Sequence, residues 1–483
     1  MTSSIPGADR THGASGSGAT RPVLQPRPDV APPALWSFPT ATEHQLTNGM
    51  RVIVDDLPRQ KVISAALVLD VPLSAENRSI EGVATICSRC LDEGTQQHPG
   101  EQFARALEGA GGSFGIDVGL SGLQLIMDVP AGRLDRAMSL FAEAVRTPAL
   151  TDPDISRHIN LRLAEIEQAR ANSAQSASIA FRSSLFSADS RASRMNGGEP
   201  ETLRTLTSDA VRAFHAEQFD PSRATLLIGG DFESDPLTIV ESAFGGWVSQ
   251  SQRMITHRPQ TAADRTAVII DRPGAVQADL RFGGFGIDRR DPRWAALTVA
   301  GHAVGGAFLS RLNSVLREER GYTYGVSLTF NPMRTGGSFA MQGSFRTEVA
   351  AAALAEAQLL LDIADRPITA AEVDNAQRYY AGVSPLRFAT ADGVVDQRAA
   401  QLLAALPADY IDRHAAALRQ VTPETASQAY AEIVRVADLS LVVVGDADLL
   451  VEPLASAGFA DIRRVEQPAG TADGRGATSA PSP

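Results

Sequence analysis

Residues 82–95 read GVATICSRCLDEGT, and residues 305–325 read GGAFLSRLNSVLREERGYTYG. The first stretch has helical spacing, and positions i, i+3 and i+4 of a helix share one face. Thr85, Ser88 and Arg89 stand at those positions. Histidines and a carboxylate so placed would hold a divalent cation and activate its bound water. Thr and Ser hydroxyls are poor metal ligands at neutral pH, and a guanidinium repels a cation. The same segment carries Cys87 and Cys90 as a CxxC. A lone CxxC is a redox pair or half a zinc site, but no second CxxC or His-x-His pair completes four ligands. Helical spacing beside Ile86 and Leu91 points to two small core-facing side chains. His98 and His158 are further candidate ligands, but His98 and the cysteines leave the Thr85 face, and a lone His158 suits a structural role.

In the second stretch Phe308, Leu312, Val315 and Leu316 form an apolar stripe at helical spacing, with Arg311, Arg317, Glu318, Glu319 and Arg320 outside it. Gly321 ends that helix, and Tyr322, Thr323 and Tyr324 begin a strand. Arg317 and Tyr324 lie seven residues apart. An arginine can bind a peptide carbonyl with a fixed fork of donors, and a phenol can donate to a developing oxyanion. The plainer reading is a charged amphipathic helix followed by an edge strand.

The elements that must position these residues occur twice. The segments 223–247 and 437–459 each run from an apolar strand through a Gly-Asp turn into a helix, and the turn residues Asp231 and Asp446 are 446 − 231 = 215 apart. Apolar strands open each half, at 50–56 and 64–71 and again at 266–273 and 279–286. A helix follows each pair, expected over 80–91 and 293–320. The mixture predicts an α+β protein of two similar halves, each a mostly antiparallel sheet with helices packed on one face. The expected organisation is a disordered arm at 1–38, a first domain at 39–249, a polar linker at 250–265, a second domain at 266–466 and a disordered tail at 467–483. Both ends are rich in Pro, Gly, Ser, Thr and Ala and bury too little to offset chain entropy.

Of the 483 residues, 43% are hydrophobic and 21% charged, the balance of a globular protein. A formal net charge of −12 argues against a general nucleic-acid or anionic-membrane surface. No apolar run approaches the ~18 residues that span a bilayer. The N-terminus lacks a basic region followed by an apolar stretch, so the expected compartment is the cytoplasm.

GVATICSRCLDEGT resembles the inverted-zincin helix of the M16 (pitrilysin/insulinase) peptidases, whose pattern is G-x-A-H-x-x-E-H-x-x-x-x-G-T. Gly82, Ala84, Gly94 and Thr95 match its frame, while Thr85, Ser88 and Arg89 replace the first His, the Glu and the second His. The family's distal Glu ligand falls 165 − 89 = 76 residues on, at Glu165, and its usual upstream support is replaced by His158. Residues 305–325 are similar to the family's S-R-L-x-x-x-L-R-E-x-x-G-x-x-Y segment, whose Arg and Tyr, here Arg317 and Tyr324, contact the substrate backbone. If the fold holds, Arg89 stands where zinc would sit and pairs with Glu165.

The resemblance spans nearly all of residues 40–465. It implies the non-catalytic, substrate-binding chain of a two-chain (M16B) peptidase of peptides or unfolded segments, leader peptides among them. No cofactor is then expected in this chain. Zinc and the general base would come from an HxxEH-bearing partner, while Arg317 and Tyr324 would clamp substrate. The alternative is a structural or peptide-binding pseudoprotease without peptidase activity. A standalone metallopeptidase using Glu165, His158 and the cysteines fits less well, since no carboxylate stands at position 88. A homodimer in place of the heterodimer stays open.

Overall fold

The computed structural model describes residues 36–249 and 256–466. Residues 1–35 of the expected arm, 250–255 of the expected linker and the expected tail at 467–483 lie outside the described residues. Two of the last three residues assigned to the arm by composition, Trp36 and Phe38, are packed. Trp36 stacks on Phe388 at 5.3 Å between ring centroids, and Phe38 meets the same ring edge-on.

The first half builds a six-stranded sheet from β1 (Thr42–Gln45), β2 (Arg51–Asp56), β3 (Val62–Leu69), β4 (Ser113–Gly119), β5 (Gly122–Pro130) and β6 (Ala224–Gly230), in the order β1-β2-β6-β3-β5-β4. The second uses β7 (Ala267–Asp271), β8 (Gln277–Gly286), β9 (Val326–Pro332), β10 (Gly337–Arg346), β11 (Ser440–Gly445) and β12 (Arg463–Glu466), in the order β12-β7-β11-β8-β10-β9. Five positions of one order map onto the other. Only the edge differs: β1 joins antiparallel and β12 parallel. Most neighbours are antiparallel, with β2 beside β6 and β7 beside β11 the parallel exceptions inside the repeat.

The repeat extends to single atoms. The Asp231 carboxylate accepts from the Arg59 amide at 2.8 Å, and Asp446 accepts from the Gly274 amide at 2.8 Å. The donors are 274 − 59 = 215 residues apart, the same offset as the aspartates. Each carboxylate ties the strand–helix turn to the connection between the two strands that flank its own strand, β2 and β3 around β6 and β7 and β8 around β11.

Every residue of β6 (ATLLIGG) and of β11 (SLVVVG) is buried. A strand apolar on both faces needs cover on both. One face of each sheet is covered by helices of its own half. The other face is covered by a helix from the opposite half, which corrects the expectation of helices on one face only. The Ser173–Leu185 helix lies on the second sheet, where Phe181 and Leu185 pack with Val268, Ala340 and Val442, and Ala177 with Ile270 and Val444. The Ala391–Leu403 helix lies on the first, where Val395 and Ala399 pack with Ile53, Ala66, Val68 and Leu227.

Arginines fix both exchanges. Arg398, on the Ala391–Leu403 helix, donates to Asp55 of β2 through Nε and Nη2, at 2.5 and 2.7 Å, with both residues buried. Arg281 of β8 donates to Ser178 Oγ at 3.1 Å and to the Ala174 carbonyl at 2.7 Å, both on the Ser173–Leu185 helix.

The helices expected at 80–91 and 293–320 are shorter or interrupted. The first runs over Val83–Arg89. The second is α-helical over Trp294–Gly301, then widens so that Ala307 N donates to His302 O, five residues back. It breaks and restarts at Ser310, whose hydroxyl accepts from the Asn313 amide. Gly305 lies in the wide turn because a Cβ there would come within 2.4 Å of Leu328 Cβ. The strand expected to begin at Tyr322 begins at Val326, because the Thr323 hydroxyl bonds the Gly325 and Ser344 carbonyls and holds 322–325 as a turn.

Removing one partner of a buried ion pair strands the other. Arg398→Ala should therefore lower the unfolding free energy by about 3–5 kcal/mol, seen as a lower urea midpoint. An Asp55→Asn/Arg398→Met double variant should recover most of that loss. A midpoint unmoved by Arg398→Ala would show that the pair does not hold the exchanged helix.

Candidate functional site

The Val83–Arg89 helix has only seven residues, so its position comes from anchors rather than intrinsic propensity. Its N-terminal amides at Gly82 and Ala84 donate to Glu76 Oε1 at 3.1 and 3.0 Å, and buried Arg191 holds the other Glu76 oxygen at 3.1 Å. Gly82 has φ +102, and a Cβ there would lie 2.9 Å from the Gly197 carbonyl oxygen. The backbone approach therefore requires glycine.

On the face so placed, Thr85 and Ser88 are buried, and Ser88 Oγ has no hydrogen-bond partner among the described residues. Arg89 closes a two-pronged pair with Glu165, Nη1 to Oε1 at 2.8 Å and Nη2 to Oε2 at 3.0 Å. Glu165 lies on the Asp152–Ala171 helix and also accepts from Arg162 Nη1 at 3.1 Å. The Arg89 hydrogen bonds, aided by Arg162 and opposed by partial burial, hold the Glu165 carboxyl below the usual glutamate range. The pairing expected from the sequence is present.

These donors do not fit zinc. A guanidinium occupies the partner position of Glu165, and the two hydroxyls offer no anionic ligand. Among the described residues no group of three His, Cys, Asp or Glu could hold a metal ion. His158 bonds Glu93 at 2.7 Å and His98 bonds Glu143 at 2.7 Å, so neither turns to Glu165. Cys87 and Cys90 are free, buried members of the first core, and burial pushes the Cys90 thiol up to about 12. They are inert core residues rather than ligands.

Thr85, Ser88 and Arg89 line a cavity of about 630 Å³. It shares Ser178, Arg182, Asn196 and Arg281 with a second of about 510 Å³. A third, of about 460 Å³, shares Ala174 and Arg281 with the first and is lined by Arg317. The exchanged Ser173–Leu185 helix thus stands between the degenerate face and Arg317, which open on adjoining space. Arg317 lies in a second wide turn, Ser314–Glu319, with its guanidinium 3.8 Å from the Phe308 ring centroid and bonded to Glu318 at 2.6 and 2.8 Å. Tyr324 is 97% exposed and does not line the third cavity, although its neighbour Gly325 does. Arg182 and Arg281 belong to the cavity walls and carry no motif. The one sequence signal for Arg281 is a charge inside the apolar run DLRFGGFG.

The model "Insulinase (Peptidase family M16)" matches residues 51–195, and the model "Peptidase M16 inactive domain" matches residues 205–380. The chain belongs to peptidase family M16. A relative named as an uncharacterized zinc protease of Mycobacterium tuberculosis is 25% identical over 308 residues, 62% of this chain and 69% of the relative. Another, the "Non-peptidase homolog YmxG" of Helicobacter pylori, is 23% identical over 318 residues, 65% of this chain and 73% of the relative. The M16 fold recurs in the crystal structure of a peptidase M16 inactive domain from Pseudomonas fluorescens, with a TM-score of 0.78 at 23% identity over 84% of this chain and 98% of that one. The crystal structure of a protease from Helicobacter pylori gives a TM-score of 0.77 at 15% identity over 84% of this chain and 100% of that one. With a paired guanidinium in place of ligands, this chain is a non-catalytic M16 member. Among the described residues no helix is long and apolar enough to cross a membrane.

Two outcomes follow from this site. Thr85→His, Ser88→Glu and Arg89→His together should create a zinc site with Glu165, read as about one zinc per folded chain by metal analysis. No uptake by a folded triple variant would show that Glu165 is not placed as a ligand. Because the Glu165 pKa is depressed in the folded state, the stability it contributes is present above the ordinary glutamate pKa and is lost as pH falls through the depressed value. Both partners are partly exposed, so Arg89→Ala should cost only about 0.5–1 kcal/mol at pH 7 and less at pH 2, by urea unfolding. An equal cost at both pH values would mean that the pair contributes packing alone.

Proposed function

We propose that this chain is the substrate-clamping partner in a two-chain M16 peptidase that cleaves peptides or unfolded segments, leader peptides among them. The observation that carries this reading is the combination of a filled metal position, where Arg89 grips Glu165, with Arg317 retained on adjoining cavity wall. An HxxEH-bearing M16 chain would supply zinc and the water-activating carboxylate.

This chain's own residues would bind and orient. Arg317, held flat on Phe308, presents a planar fork suited to a peptide carbonyl once Glu318 swings away. Tyr324 projects a phenol into solvent, where a facing chain and its substrate can reach it. It would donate to the oxyanion that develops as the peptide carbonyl is attacked. The expected compartment is the cytoplasm, where unfolded segments and leader peptides are available to such a complex.

A second reading, a peptide-binding or structural pseudoprotease, is favoured by the non-peptidase name of the Helicobacter pylori relative and by the position of Tyr324 outside the cavity lining.

Affinity capture of the tagged chain from its own cells should recover an HxxEH-bearing chain of similar size. The complex, but not either chain alone, should hydrolyse a quenched fluorescent peptide. In that complex Arg317→Ala or Tyr324→Phe should lower kcat/KM by about 10²–10³-fold without dissociating the chains. A complex that cleaves equally well with either variant would remove the clamp role. Capture without any HxxEH chain would favour the pseudoprotease.

A further inference from the structure

The chain as a whole is acidic, with 56 Asp and Glu against 44 Lys and Arg. Its interior wall has the opposite sign. The central cavity is lined by Arg182, Arg281, Arg289 and Arg334 and by no carboxylate. The cavity toward Arg89 adds Asp117, and the one toward Arg317 adds Asp279. Some of these arginines are neutralised locally: Arg89 and Arg162 share Glu165, and Arg334 lies 3.2 Å from Asp70.

Arg182, Arg281 and Arg289 have no carboxylate at ion-pair distance among the described residues. Arg281 is buried on the central strand β8 and donates only to neutral oxygens, those of Ser178, Ala174 and Leu280. Arg182 likewise donates to the Ala192 and Arg194 carbonyls and to Asn196 Oδ1. Each guanidinium has five N–H donors, so both retain donors for a ligand. They are also brought to one place. Ala174, Ser178 and Arg182 stand four residues apart on one face of the exchanged helix, and Arg281 binds the first two. Burial, together with Arg191 nearby, pushes the Arg182 pKa down despite Glu199, and burial does the same to Arg281 despite Asp279. A guanidinium needed only to pin the helix by neutral hydrogen bonds would be a costly choice at a buried site. An arriving anion would offset that cost.

We propose that this wall is a carboxylate-binding subsite that selects acidic peptide segments, seating Asp or Glu side chains against Arg182 and Arg281. The inference rests on the reading of the chain as a peptide clamp and adds the chemical class of what is clamped. Extended peptide advances about 3.3 Å per residue, so one segment can present alternate side chains to Arg182 and to Arg289, which lines the same cavity.

The test is fluorescence anisotropy with the full-length chain and end-blocked peptides of about ten residues: alternating Glu-Ala, Gln-Ala and Lys-Ala. The Glu-Ala peptide should bind about tenfold or more tightly than Gln-Ala, with Lys-Ala weakest. Its advantage should shrink between roughly 50 and 500 mM salt. Arg281→Gln and Arg182→Gln should each weaken Glu-Ala binding about tenfold and leave Gln-Ala binding unchanged. Because Arg281 also holds the exchanged helix, Arg289→Gln, which removes no hydrogen bond of the described structure, checks the same direction with a loss of about two- to fivefold.

Equal affinity for Glu-Ala and Gln-Ala overturns the subsite while leaving the clamp reading intact. No binding of any peptide up to about 1 mM overturns both. If a Gln-Ala peptide with a free C-terminal carboxylate matches Glu-Ala, the wall reads a chain end, and side-chain selection is overturned.

Discussion

Two central strands that are apolar on both faces impose the architecture. β6 and β11 leave no polar side to turn toward water, so each sheet needs a second cover. Helices of the same half already fill the first face. The second is covered by exchange: the Ser173–Leu185 helix goes to the second sheet and the Ala391–Leu403 helix to the first. Neither half could shed its partner without exposing a sheet face. The apolar contact is non-directional, and buried arginines set where each helix lies, Arg398 through Asp55 and Arg281 through Ser178 and Ala174. The exchanged helix is also the partition between the degenerate face and Arg317, so the constraint that closes the core also shapes the cavities.

The same economy appears at the metal position. Glu165 projects beside the Val83–Arg89 helix, and a partly buried carboxylate there is favoured by a neighbouring cation. Arg89 supplies one from within the chain, with two parallel hydrogen bonds and a third from Arg162. Only the chemistry changes, because a guanidinium satisfies the charge without activating water. Ser88, at the position of the missing general base, ends as a buried hydroxyl without a partner among the described residues. The frame around it, from Gly82 packed on Gly197 to Glu76 capping the helix, is intact.

Charge inside and outside the molecule are separate quantities. The net charge of −12 is that of the whole chain and argues against broad anionic partners. The cavity walls are arginine-rich clefts open to solvent on one side and backed by protein on the other, where a few uncompensated charges bias what binds. The interior therefore favours a ligand that the exterior repels, which suits selective admission of a short acidic segment over nonspecific adhesion.

Local patterns in the sequence determined much of this protein. Short apolar runs marked β2, β3, β7 and β8, the 215-residue offset marked the repeat, and the 76-residue offset to Glu165 fixed the register that the Arg89 pair displays. Such features are legible because they depend on neighbours in the chain or on a spacing held by two packed helices. Tertiary structure decided the rest. The apolar stripe from Trp294 to Leu316 reads as one helix, yet close packing of Gly305 on Leu328 widens and ends it. The exchange of helices was hidden because an apolar helix face does not name the sheet it will cover. Arg182 and Arg281 are 281 − 182 = 99 residues apart with no motif between them. They share a wall only because burying both faces of β11 draws the Ser173–Leu185 helix across to β8.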